Sequence, residues 1–268
     1  MSGYIALSTL DIALAALFLI LDAGLSIWLR LGLERRLLIA AVRMVVQLLM
    51  VGLVLKTVFT LASPWLTLLI AAVMAAVAAR EIRARQERRL RGLWGYTLGG
   101  GAMVAAGAVV TLVALSVQIR PEPWWNPQFA LPLFGMILGN TMTGVSLGLD
   151  TLHATVVSER RAIEAQLLLG DRSLAAMRPA LRRALRSGFT PIINAIAVSG
   201  VVSLPGMMTG QILAGVDPQE AVKYQILIMF LIGGATGLGV LGAVMASARR
   251  LSDPRERLRL DRLTGPEA

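Results

Sequence analysis

Seven stretches of roughly twenty apolar residues constrain this chain more than anything else in it, because that length matches the hydrocarbon thickness of a bilayer. They cover residues 4–28, 37–59, 65–79, 95–117, 129–149, 190–213 and 224–248. The third is short, and its helical pattern continues into the basic stretch after Arg80. Only 16% of residues are charged, against about 25% in soluble domains. The first stretch lacks a basic leader, since residues 1–10 hold no Lys or Arg, so it reads as a retained span and not a signal peptide. The expected fold is an all-α integral membrane protein with seven transmembrane helices. A permease domain occupies residues 1–250 and a basic cytoplasmic tail residues 251–268.

The net charge of +10 invites a nucleic-acid reading until the cations are located. All but four of the 26 lysines and arginines follow the first, third, fifth and seventh spans; the four are Arg43, Lys56, Arg120 and Lys223. Basic loops remain cytoplasmic. The N-terminus is therefore expected outside and the C-terminus inside, as an odd number of spans requires. The cations are topological determinants that also meet anionic lipid, and no nucleic acid is expected as a partner. Cysteine is absent and His153 is the one histidine, which excludes thiolate and multi-histidine metal sites. His153 reads as an interface residue at the inner end of the fifth span.

Between the fifth and sixth spans lies a charged segment of helical pattern, residues 153–189. Glu164, Ala165, Gln166, Leu167, Leu168 and Leu169 favour helix, Gly170 stops it, and a second helix over 174–186 follows. Three leucines in a row cannot all be buried by one short helix. The segment is either an interfacial helix on lipid head groups or a docking element for a soluble partner.

Polar residues inside the spans need an account, since each ionised one costs about 3 kcal/mol on insertion scales. Asp11 and Asp22 share a helix face with Ser8 and Ser26. Asp22 is expected to pair with Arg43, with Gln47 extending the network; the alternative is Arg43 snorkelling to the head groups. Asn140, Thr143, Ser146 and Asp150 form a stripe on the fifth span, suited to lining a pathway or to bonding neighbouring helices. The same span carries Gly135/Gly139 and Gly144/Gly148 on opposite faces, which predicts a central helix packed on both sides. The sixth span holds Asn194, Ser199 and Ser203 before Leu204-Pro205-Gly206-Met207-Met208, an interruption tolerated only beside protein or a water-filled cavity. It reads as a broken-helix substrate site or as an outward re-entrant turn. The donors on offer are Asp, Asn and carbonyl oxygens, with thioethers from Met136, Met207 or Met208. They fit a weak, transient path, and no metal ligand set is assigned.

Three runs of residues carry a resemblance. They are Arg43-x-x-x-Gln47-Leu48-x-x-Val51-Gly52-x-Val54-Leu55-Lys56; Gly135-Met136-Ile137-x-Gly139-Asn140; and Val202-Ser203-Leu204-Pro205-Gly206-Met207-Met208-x-Gly210, continuing through Asp217-Pro218 to Lys223-Tyr224-Gln225-Ile226. Together they resemble the FetB-type permeases, whose bacterial members are associated with iron export and whose plant relatives take part in aluminium tolerance. Glu164-Ala165-Gln166-x-x-x-Gly170 likewise resembles the Glu-Ala-Ala-x-x-x-Gly loop with which ABC permeases engage an ATPase, Gln166 departing at its third position. The resemblance implies a permease homodimer in the bacterial inner membrane, coupled to two copies of a separate ATPase through Glu164, Ala165, Gln166, Leu168 and Gly170. The chain has no phosphate-binding loop of its own. ATP and Mg would therefore sit on the partner, with no cofactor and no catalytic residue here. The alternative from the residues alone is an ion-coupled secondary transporter using Asp11, Asp22 and Asp150.

Overall fold

The computed structural model describes residues 8–264. Residues 4–7 of the expected first span and 265–268 of the tail lie outside the described residues. Those described form an all-α protein, in which six helices are long and apolar enough to cross a membrane. The chain divides into two compact units, Met1–Ala62 with Leu213–Gly215, and Ser63–Ile212 with Val216–Ala268.

The first unit is a hairpin of α1 (Thr9–Trp28) and α2 (Glu34–Leu61). A capping box starts α1: the Ser8 hydroxyl accepts from the Asp11 N–H at 3.2 Å, and the Asp11 carboxylate accepts from the Ser8 N–H at 2.8 Å. Buried Ser26 closes the turn, donating to Glu34 at 2.8 Å and accepting from the Leu33 N–H at 3.0 Å.

The second unit contains α3 (Pro64–Ala84), β1 (Arg89–Leu90), α4 (Trp94–Val113), α5 (Pro127–Ser158), α6 (Arg160–Leu168), α7 (Ser173–Ala176), α8 (Arg178–Val198), α9 (Gly206–Leu213), α10 (Pro218–Arg250) and β2 (Leu263–Thr264). The third span does extend into the basic stretch, to Ala84. Helix α4 loosens at its end into a π-helical segment, Ala114–Ile119. As expected for a central element, α5 packs against α3, α4, α8 and α10.

Glycine makes those packings close. A Cβ on Gly144 would lie 2.7 Å from the Gly188 carbonyl oxygen of α8, and one on Gly148 3.2 Å from Val244 of α10. Gly135 faces Met74 of α3, whereas Gly139 opens on free space. These pairings also fix direction. Rising residue numbers on α5 meet falling numbers on α8 (Gly144 with Gly188, Gly148 with Ala184) and rising numbers on α10 (Gly144 with Val240, Gly148 with Val244). Helix α8 therefore runs antiparallel to both neighbours, and the chain reverses after α8 to begin α10 at the same end.

That reversal corrects the expected sixth span. The interruption expected at Leu204–Gly206 is present, but residues 190–213 do not make a span: α8 ends at Val198, residues 199–205 turn, and only the eight residues of α9 follow. An eight-residue helix rises about 12 Å, far short of the ~30 Å core. The Val198 carbonyl ends α8 by accepting from the N–H groups of Val202 and Ser203 at 3.1 and 3.2 Å, while Gly200 adopts φ +85°.

Opposite the break, the basic end of the unit is knitted together. Residues 251–264 fold back so that β2 pairs antiparallel with β1, and the Thr264 hydroxyl donates to the Arg89 carbonyl at 3.0 Å. Leu251 and Leu263 join a buried cluster with Ile82, Leu152 and Met177.

Candidate functional site

The α6–α7 corner is built as a rigid projection. Gly170, at φ +96°, closes α6 in a Schellman turn: its N–H donates to the Leu167 carbonyl, and the Asp171 N–H donates to the Gln166 carbonyl, each at 3.1 Å. A residue with a Cβ is strained at that φ. Ile163 is buried under α6, and Ala176 and Met177 are buried where α7 meets α8. On this mount Leu168 and Leu169 are 89% and 87% exposed. Ala165 and Gln166 are exposed beside them, and Glu164 accepts from Arg160 at 2.8 Å. Two neighbouring leucines are thus held out as a knuckle on a braced turn, at an end rich in arginine.

The bracing comes from three directions. The Glu256 carboxylate accepts from the Ser173 N–H at 2.6 Å, capping α7 from the C-terminal segment, and the Ser173 hydroxyl together with this N–H holds its pKa below the usual glutamate range. Arg183 of α8 donates to Glu159 at the start of α6. His153 is the keystone: only 1% exposed, its Nδ1 lies 2.8 Å from the Arg88 carbonyl and its Nε2 2.8 Å from the Ser247 hydroxyl. This corrects the interface reading, since α5 continues to Ser158 and carries His153 into the packed joint between the α3–α4 connection, α5 and α10. In the same C-terminal segment as Glu256, the Arg259 guanidinium donates to the Asp261 carboxylate at 2.8 Å and holds its pKa down to about 2.

The stripe on α5 is largely satisfied within its own helix. Asn140 donates to the Met136 carbonyl at 2.9 Å, Thr143 to that of Gly139 at 3.2 Å, and Ser146 to that of Met142 at 2.7 Å. Asp150 accepts from the Glu87 N–H at 3.0 Å and so anchors the loop after α3. Asn140 remains exposed, while Ser146 is buried.

The break after α8 does border a cavity. It has a volume of about 630 Å³ and is lined by Ser199, Pro205, Met208, Gln225, Met229 and Phe230, among others. The buried Gln225 Oε1 has no hydrogen-bond partner. Of the remaining expected pathway residues, Met207 packs into the neighbouring core, and Asn194 and Ser203 are exposed outside the lining. Gln225 and Met229 were not expected to line a path; a glutamine one turn from a methionine on α10 was the available signal. Among the described residues no group of three or more His, Asp or Glu side chains could hold a metal ion.

In the first unit, one member of the expected polar network has a local role. Asp11 serves the α1 cap. Asp22, Arg43 and Gln47 are all exposed on the hairpin.

A family model described as an uncharacterised protein family (UPF0014) matches residues 9–252. The chain belongs to this family. A UPF0014 membrane protein of Synechocystis is 43% identical over 208 residues, covering 76% of this chain and 78% of the relative. The probable iron export permease protein FetB of Escherichia coli is 31% identical over 248 residues, covering 92% and 93%. Protein ALUMINUM SENSITIVE 3 of Arabidopsis thaliana is 29% identical over 225 residues, covering 84% and 80%. No solved structure matches the chain. With six candidate spans and relatives named as membrane proteins, this UPF0014 member is an integral membrane protein.

Proposed function

We propose that the chain is the permease subunit of an ATP-driven exporter of iron or a related metal species, working as a pair with two copies of a separate ATPase. The observation that carries this reading is the exposed Leu168–Leu169 knuckle on its buried mount. Helix α8 leads from that mount to the break at residues 199–205, so a push on the corner reaches the cavity along one helix. The name of the Escherichia coli relative supports permease and iron. In this reading α8 makes the seventh crossing, which places the basic end in the cytoplasm. The cavity's amide and thioether donors suit a cargo held weakly in passage, such as a chelated metal.

The test is reconstitution with the partner ATPase in vesicles. ATP is expected to drive iron flux, and Leu168→Glu with Leu169→Glu is expected to abolish it while leaving the melting temperature unchanged. Sustained gradient-driven flux without the ATPase would instead establish the secondary-transporter reading, in which Asp11, Asp22 and Asp150 carry ions.

A further inference from the structure

A second cavity lies within the second unit, far along the chain from the knuckle. It measures about 580 Å³ and opens between α3, α4 and α5, beside the π-helical segment. Ala71, Ala72, Ala75 and Ala108 leave its floor open, and Trp65 and Trp124 stand among its walls. The volume lies within the roughly 300–1,000 Å³ range of ligand pockets.

Two polar groups are stranded in this lining. The Trp125 Nε1 and Thr111 Oγ1 atoms are buried without a hydrogen-bond partner, and Thr111 is only 6% exposed. Thr60, Thr67, Thr143, Thr190 and Thr209 each donate to the carbonyl four residues earlier in the chain. Thr141 and Thr236 share the unpaired state of Thr111, but neither lines this cavity. A buried donor without a partner is costly. Water at these two groups would leave the apolar remainder of the walls unfilled.

We propose that this cavity binds one phospholipid, its acyl chain along the alanine floor and an ester carbonyl accepting from Trp125 Nε1–H and the Thr111 hydroxyl. A Trp N–H can only donate, so the occupant must bring an acceptor on an otherwise apolar body. Acyl esters do so, and tryptophans cluster at the membrane depth where those esters lie. The proposal needs only that the second unit spans the bilayer and does not depend on the transported cargo.

Mass spectrometry of the full chain released from detergent tests it. The wild type is expected to retain one phospholipid after washing that strips the rest. Ala108→Phe, which fills the floor, is expected to retain none. Thr111→Val and Trp125→Phe are expected to weaken retention roughly two- to tenfold each. Val109→Phe, on an exposed position of the same helix, is expected to change nothing. No retained lipid in the wild type, or equal retention in Thr111→Val, Trp125→Phe and the wild type, would overturn the proposal even if Ala108→Phe failed to fold.

Discussion

Replacing Gly188 by alanine should test the close packing of α8 against α5 and α10. The new Cβ would lie 2.6 Å from Val240 Cγ1 and 2.9 Å from the Gly144 carbonyl oxygen, where ordinary contact begins at 3.4 Å. Neither neighbour yields readily: Val240 is fully buried with a stiff χ1, and the carbonyl is backbone. The helices must separate by roughly half an ångström or more, and overpacking of this kind costs about 1–3 kcal/mol. A loss near 2 kcal/mol lowers the folding equilibrium about thirtyfold. Unfolding in detergent, followed by tryptophan fluorescence, measures it. Val240→Ala in the same chain should recover part of the loss, because it removes the nearest atom. Gly139→Ala on α5, which meets nothing within 4 Å, should stay within about 0.5 kcal/mol of the wild type. Equal stability of Gly188→Ala and wild type, or equal damage from Gly139→Ala, would refute the reasoning.

Three further outcomes follow from the platform. His153→Ala should cost about 2–4 kcal/mol in detergent unfolding, since it leaves a cavity and removes the partner of the Ser247 hydroxyl and the Arg88 carbonyl. The Glu256 carboxylate has a lowered pKa in the folded chain, so its cap on Ser173 is fully present above the ordinary value of 4.5 and is lost as pH falls through the folded value. Hydrogen exchange at Ser173 should accelerate over that acidic range, and Glu256→Gln should flatten the pH response. Gly170→Val should disorder the α6–α7 corner, seen as faster exchange at Asp171, because a β-branched residue resists φ +96°.

Much of the helical frame was legible because membrane helices announce themselves by length and apolarity, and the glycine faces of α5 gave its central position. The interruption of the sixth span was legible at Pro205 and Gly206, but its extent was not, because backbone bonding at Val198, seven residues earlier, decides where α8 ends. The helix stop at Gly170 and the exposure of Leu168 and Leu169 were readable from three consecutive leucines before a glycine. The bracing of that corner was not, since Glu256 meets Ser173 across 83 residues and His153 meets Ser247 across 94.

The central claim is that the Leu168 corner faces the cytoplasm and docks an ATPase, and the absence of native cysteine makes one measurement direct. A Leu168→Cys chain, co-expressed with the partner ATPase carrying a cysteine in its docking cleft, should form a disulfide-linked pair under oxidation and react with an impermeant thiol reagent only in inside-out vesicles. Labelling from the outer face, or no crosslink to any nucleotide-hydrolysing subunit, would contradict the account.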